Sequence, residues 1–337
     1  MSKPGKFLIL LALVLLGFPG ALHGQEGPPS PRPYQRPTYR FSLGAREGAL
    51  TGTAYETVYR DKWENRLSEL TWEIKPLYYL GLSLRLDQEG RTNAPTFFSR
   101  LDINLGLPGV TGFMEDRDWL GQTADGRNNA LSNYAITNNK TVGYWGLDYE
   151  SGWSRPLAGG FSLSWLIGVS VMHFSWEAFD GYTQRGSKIT TDSTGYDVRS
   201  PWNPSLTKNP SLGLSISYTQ DWSHYYLGAR AGYSRGNLDL DLGVAAGFSL
   251  CLDRDSHHRR NLEVSGSYIG FLLEPSLRVS WALNPRVNLE FTSSYRWVAK
   301  AVGSGGWLYT DTGKRGSGYY GAAYSALDLG LGLHYLF

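Results

Sequence analysis

In the final segment, "YSALDLGLGLHYLF" at 324–337, Leu327, Leu329, Leu331, Leu333, Tyr335 and Phe337 share one parity. Ala326, Asp328, Gly330, Gly332, His334 and Leu336 share the other. A β-strand sends two such sets to opposite faces, so one face is apolar and aromatic-tipped and the other small and polar. Leu238, Leu240, Leu242, Val244, Ala246, Phe248, Leu250 and Leu252 alternate in the same way with Asp239, Asp241, Gly243, Ala245, Gly247, Ser249 and Cys251. Val287, Leu289, Phe291, Tyr295 and Trp297 alternate with Asn288, Glu290, Thr292, Ser294 and Arg296. Leu70, Trp72, Ile74, Tyr78, Leu80, Leu82, Leu84 and Leu86 oppose Glu69, Thr71, Glu73, Lys75, Ser83, Arg85 and Asp87.

These runs are too long for a soluble sandwich, whose strands average about five or six residues. A membrane strand needs roughly 9–11 residues to cross and can continue beyond the bilayer. Its apolar face then meets lipid while the interior holds the charges. The pattern predicts about ten strands, near 39–59, 67–87, 98–114, 140–154, 158–178, 209–233, 238–256, 262–283, 286–304 and 319–337. The expected fold is therefore all-β: a transmembrane antiparallel β-barrel of ten strands. Short joins such as 234–237 and 283–285 read as periplasmic turns, and longer polar ones such as 180–208 and 305–318 as external loops. A large soluble barrel or β-helix is the competing architecture.

The N-terminus supports the membrane reading. Lys3 and Lys6 precede the apolar run Phe7 to Leu16, and small residues follow. That is the layout of a secretory signal peptide. The expected organisation is a signal peptide at 1–24, a proline-rich leader at 25–38 and the barrel at 39–337. No later stretch offers eighteen apolar residues in a row, so any membrane crossing must use strands. Composition adds little except exclusions. A net charge of +2 implies no broad polyanion-binding surface. The single Cys251 excludes an internal disulfide; it has inward parity and reads as a packing residue.

Candidate chemistry appears where the alternation leaves the membrane. In "SLCLDRDSHHRR" (249–260) the inward parity continues through Asp253, Asp255 and His257. In "MEDRDW" (114–119) Asp116 and Asp118 have inward parity, as Glu56 does in the first strand. Two acid-bearing rims can thus face each other across one barrel mouth. A His–Asp pair is suited to taking a proton from water, with Asp255 orienting His257 and opposed acids polarising that water. Crowded carboxylates titrate together. Glu56 and Asp253 add negative charge for a cationic substrate side chain. The alternative is an ordinary polar loop network, or one that binds lipid headgroups through cations. His258 has outward parity; the basic "HHRR" at 257–260 could meet anionic headgroups, with a simple solvated rim the equal reading for Arg259 and Arg260.

At these residues the sequence resembles the omptin family of outer-membrane aspartate–histidine proteases. "MEDRDW" is similar to the segment bearing that family's paired aspartates, which map to Asp116 and Asp118. "DRDSH" (253–257) is similar to the segment bearing its dyad, which maps to Asp255 and His257. "SLGAREGALTGTAYETVY" (42–59), "NRLSELTW" (65–72), "LSNYA" (131–135) and the closing "HYLF" extend the likeness over most of the mature chain. The resemblance implies a cell-outer-membrane endopeptidase with its site on the extracellular side, cleaving exposed polypeptides near Arg or Lys. It implies catalytic Asp116, Asp118, Asp255 and His257, and substrate-binding Glu56 and Asp253. It implies no metal or organic cofactor, but lipopolysaccharide as an activating lipid. One departure bears on substrate preference. Where family members carry a serine and a histidine near the groove, this chain reads "ADGRNN" (124–129). The 88–97 turn also looks longer than the family's. The competing functions are a catalytically inactive barrel acting as an adhesin and a small-solute pore. The large inward side chains Arg85 and Arg296 favour a filled lumen over a pore.

Overall fold

The computed structural model describes residues 38–60, 65–88, 94–122, 128–191, 193 and 197–337. The expected signal peptide and nearly all of the leader lie outside these residues. The strands are β1 (Tyr39–Tyr59), β2 (Arg66–Gln88), β3 (Thr96–Gly106), β4 (Gly109–Asp118), β5 (Gly121–Gln122), β6 (Asn128–Ala130), β7 (Asn133–Pro156) and β8 (Phe161–Arg185). They continue as β9 (Lys188–Thr191), β10 (Asp197–Arg199), β11 (Asn209–Arg235), β12 (Leu238–His257), β13 (Leu262–Asn284), β14 (Val287–Tyr309) and β15 (Arg315–Leu336). Eleven of them form one sheet in the order β1-β15-β14-β13-β12-β11-β8-β7-β3-β2-β4, and β1 also pairs with β2. Strands β3 and β4 follow one another along a single stave between β2 and β7. The sheet therefore closes as an antiparallel barrel of ten staves, as the alternation predicts. Closure removes the unpaired edges that lipid would not tolerate.

A second sheet, which the sequence pattern did not suggest, has the order β6-β5-β10-β9. Its short strands come from the connections that follow β4 and β8. That is the end of the barrel opposite to the one where Phe337 N–H donates to Phe41 C=O at 2.9 Å.

The lipid face is the one expected on most staves. Leu327, Leu329, Leu331 and Leu333 are exposed on β15, as are Leu242, Val244, Phe248, Leu250 and Leu252 on β12. Outward aromatics ring this belt. Phe41 packs on Phe337 with ring centroids 5.8 Å apart, and Phe161 on Tyr233 at 4.9 Å.

Strand β2 departs from the expected pattern. Its apolar residues keep one parity in sequence, yet Leu70, Trp72 and Ile74 are buried inside while Tyr78, Leu80 and Leu82 face out. The register against β1 slips between Leu50↔Leu77 and Gly52↔Ile74. That step places an extra residue at Lys75–Pro76, and a bulge of this kind reverses every side chain beyond it. Proline lacks the N–H a regular ladder needs, which favours it at such a point.

Inside, the half nearer the chain ends holds an ionic core. Arg100 Nε stands 2.7 Å from Asp102 and its Nη2 3.4 Å from Glu290, and Arg85 also pairs with Glu290. Arg296 bridges Glu274 (2.6 Å) and Asp148 (3.0 Å), and Arg278 meets Asp241 at 2.6 Å. Above it lies an aromatic layer. Trp72 and Tyr218 stack at 5.3 Å and Phe174 and Trp176 at 5.0 Å, and Tyr144 packs tilted on Phe174 at 4.8 Å. This filling is the opposite of an open aqueous path and counts against a pore.

Glu290 is the shared anion of two buried guanidinium groups. Glu290→Ala should destabilise the barrel by about 3–5 kcal/mol, because it leaves buried cations uncompensated. The midpoint of thermal unfolding in detergent, followed by circular dichroism, checks this; an unchanged midpoint would mean the lumen charges are already well hydrated.

Candidate functional site

The inward parity of β12 runs unbroken from Asp239 to His257, because its register with β11 and β13 contains no bulge. Asp253, Asp255 and His257 thus stack along one face, beyond the last outward leucine of this strand, Leu252. Asp253 is buried and accepts hydrogen bonds from Tyr218 Oη (3.1 Å) and Tyr268 Oη (3.0 Å), on the strands to either side. The Tyr218 hydroxyl is held in turn. Gln220 Nε2 donates to it at 2.8 Å, and Trp222 Nε1 donates to Gln220 Oε1 at 2.9 Å. These three residues are alternate positions of β11, so one strand face forms the whole support. Two positions above Asp253, buried Asp255 meets His257, with Nε2 2.7 Å from Oδ2.

The other rim is carried by β4. Asp116 and Asp118 point inward as their parity suggests, but by two compensating irregularities. The chain breaks between β3 and β4 at Leu107–Pro108, and a bulge between Val110 and Phe113 uses Gly112 at φ 107°. A Cβ at Gly112 would lie 2.5 Å from a Glu73 carboxylate oxygen, so the bend needs glycine on both counts. Cross-strand neighbours hold the two acids. Ser68 Oγ donates to Asp116 at 3.4 Å, and Asn133 Nδ2 to Asp118 at 2.9 Å. Glu56 comes from β1, is buried, and has one carboxyl oxygen without a hydrogen-bond partner.

Glu56, Asp116, Asp118, Asp255 and His257 all line one cleft of about 520 Å³ at this end of the barrel. Asp253 lies one inward position deeper on β12. The stacked Trp72 and Tyr218 belong to the layer beneath, so the β2 bulge that turns Trp72 inward also builds the floor. Sequence reading missed several contributors. Ser68, Asn133, Tyr218 and Tyr268 are cross-strand neighbours, visible only once the register is known. Arg260, expected on the solvated rim, lines the cleft with the acids. Asp197 and Arg199 reach it from the small sheet. Most of the "ADGRNN" segment lies outside the described residues, as does the middle of the 88–97 turn.

Crowding sets the electrostatics. Burial and the neighbouring Asp118 push the Asp116 carboxyl up to about 7. Burial pushes Asp253 up to about 7 as well, against the two phenol hydrogen bonds. Glu56 rises through burial and the charges of Asp255 and Asp253. Burial works against charge on His257, but Asp255 outweighs it and the imidazole pKa rises. A neutral-pH proton acceptor beside carboxyls that hold protons unusually well is a pattern common at functional sites. Among the described residues no group of three or more His, Cys, Asp or Glu side chains is arranged to hold a metal. What the arrangement can do is move protons.

The fold and the cleft together define a membrane barrel with an acid-lined mouth, and comparison with known proteins gives its family. The omptin family model matches residues 37–337, so this chain belongs to the omptin family. The plasminogen activator of Yersinia pestis is 27% identical over 267 residues, which is 75% of this chain and 75% of that protein. The crystal structure of the outer membrane protease OmpT from Escherichia coli shares the fold. It has a TM-score of 0.73 at 15% identity and covers 88% of this chain and 97% of that one. The protein is an outer-membrane β-barrel of a protease family.

Raised carboxyl pKa values make the folded state bind protons that the unfolded chain releases. Stability from this source is present below the ordinary carboxylate range and is lost as pH rises through about 7. Glu56→Gln removes one crowded charge. It should raise the melting midpoint at pH 8 more than at pH 4.5, by about 2–4 °C for each kcal/mol relieved. Equal gains at the two pH values would show that Glu56 is not ionised in the folded protein.

Proposed function

We propose that this protein is an endopeptidase that hydrolyses exposed polypeptides beside Arg or Lys, using water activated between an Asp255–His257 dyad and the opposed pair Asp116 and Asp118. The observation that carries this reading is the 2.7 Å contact of His257 with buried Asp255 in the same cleft as Asp116 and Asp118. Asp255 engages one ring nitrogen, which leaves the other to take a proton. Water on that side loses a proton to His257 as its oxygen bonds to the scissile carbonyl carbon. Asp116, whose pKa of about 7 lets it hold or release a proton near neutrality, orients the same water, and Asp118 supports Asp116 from the next inward position. His257 then gives its proton to the departing amine as the C–N bond breaks.

Glu56 and Asp253 form the cation-binding part of the site. Before substrate binds, burial and mutual repulsion favour the protonated forms of these carboxyls. An arriving guanidinium or ammonium stabilises their ionised forms, so pairing with substrate replaces pairing with a proton. Such a buried ion pair discriminates strongly, although desolvation offsets part of the gain. The resemblance and the lipid-facing belt support lipopolysaccharide as the activating lipid, packed around staves whose upper ends carry the site. No metal or organic cofactor enters the chemistry.

The test is cleavage of a quenched Arg-Arg peptide by folded protein, with and without lipopolysaccharide. His257→Ala and Asp116→Ala variants of matched barrel content are assayed beside it. Removal of a general base should slow turnover by about 10²–10⁴-fold, and omission of lipopolysaccharide should lower the wild-type rate. Equal rates in wild type and both variants would place the chemistry elsewhere. Absence of cleavage of basic and non-basic peptides alike would favour the adhesin.

A further inference from the structure

Amide hydrolysis places a negative charge on the former carbonyl oxygen, and catalysis needs a donor aimed at that position. Strands of a closed barrel offer few main-chain amides for this, because each strand is laddered on both sides. Asp116 is paired with Leu70 and Ala135, Asp255 with Tyr218 and Val264, and His257 with Ile216 and Leu262. Amides at the strand ends are engaged too. His258 N–H donates to Ser215 C=O (3.0 Å), Trp119 N–H to Leu67 C=O (2.9 Å), and Leu120 N–H to Ser132 Oγ (3.2 Å). The cleft carboxyls are engaged by water and by the substrate cation in the reading above, and only a protonated one could donate. The oxyanion therefore calls for a side chain, and a cation serves it best.

Among the described residues, four guanidinium or ammonium groups line the cleft: Arg185, Arg199, Arg260 and Lys314. Arg199 is committed to Asp197 (2.8 Å) and to the Gly186 carbonyl (3.1 Å). Arg185 sits on β8 opposite Asn133, two staves round from Asp118. Lys314 lies in the turn between β14 and β15. Arg260 is placed differently. It follows His257 by three residues in a tight turn, where its own N–H donates to the His257 carbonyl at 3.1 Å. Asn261, at φ 49°, then sends the chain back into β13. The guanidinium is thus tethered to the residue that receives the proton. Among the described residues it is in no direct ion pair. It is also the strongest cationic influence on Asp116, ahead of His257, while Asp116 and Asp118 stabilise its own charge.

Resting on the endopeptidase reading above, we propose that Arg260 is a further catalytic residue, whose guanidinium donates to the oxyanion of the tetrahedral intermediate. As the water oxygen bonds to the carbonyl carbon, the C=O π pair moves onto the carbonyl oxygen and His257 takes the water proton. Arg260 holds that anionic oxygen without giving up a proton. When the pair returns to re-form C=O, the C–N bond breaks and the amine nitrogen takes the proton from His257. Before substrate arrives the same charge favours ionised Asp116, so Arg260 exchanges one anion for another along the reaction.

The experiment compares wild type with Arg260→Gln and Arg260→Lys on the Arg-Arg peptide. Inhibition by a matching peptidyl phosphonate, whose tetrahedral anionic oxygen imitates the intermediate, is measured alongside. Loss of one oxyanion donor should lower kcat by about 10²-fold with KM little changed. Phosphonate affinity should fall in parallel in Arg260→Gln, with partial recovery in Arg260→Lys. The acid limb of the kcat/KM profile should move to higher pH as Asp116 loses its cation. Because Arg260 is exposed on a turn, the barrel should melt as wild type does. A change in KM alone, or unaltered phosphonate binding, overturns the assignment. A wild-type enzyme that cleaves while Arg260→Gln cleaves equally well overturns it too, and leaves the endopeptidase reading standing.

Discussion

The two-residue period of a closed sheet is the constraint on which everything else in this protein rests. A ten-stave barrel has no edge and only two faces, so every residue must serve lipid or lumen below the rim. Above the rim the same period continues with no lipid to satisfy. On β12 this extension lines up Asp253, Asp255 and His257 at successive inward positions, close enough along one strand for acid and imidazole to touch. On β4 it does the same for Asp116 and Asp118. The site is therefore two strand ends on opposite sides of one mouth, positioned by hydrogen-bonded ladders more rigid than loops.

Putting several acids in one buried place raises their pKa values and opposes folding, and the structure answers this below the site. The aromatic layer of Trp72, Trp176, Phe174 and Tyr218 excludes water beneath the cleft. That exclusion strengthens each charge interaction above it. The paired lumen charges lower down then tie distant staves together, as Arg296 does by reaching Asp148 on β7 and Glu274 on β13. The acids can remain crowded because the scaffold has connectivity to spare.

Most of this architecture was legible in the alternation. The first strand, Tyr39–Tyr59, coincides with its expected span, and Leu238–His257 runs one residue past it. Inward Arg85 and Arg296 correctly pointed to a filled lumen. Strand β2 misled because its apolar residues keep one parity across a bulge, so Trp72 reads as lipid-facing until the register against β1 is known. The inward reading of Asp116 held because the break at Leu107–Pro108 and the bulge at Gly112 cancel. Arg260 was unreadable for another reason: beyond His257 the chain turns, and parity has no meaning in a turn. The small sheet was missed because strands of two to four residues carry too little alternation to register.

These failures share a physical cause that bears on how such a site can diversify. Parity specifies what the strands carry, and here that is the acids and the imidazole, the groups whose mutual distances must be fixed. Turns and short strands supply further groups that line the cleft: Arg260 after β12, and Asp197 and Arg199 in the small sheet. A turn can lengthen, shorten or exchange a side chain without shifting any ladder. The crowded acids and the imidazole are thereby anchored to the part of the protein least able to change, and Arg260 and the small-sheet charges to the part most able to.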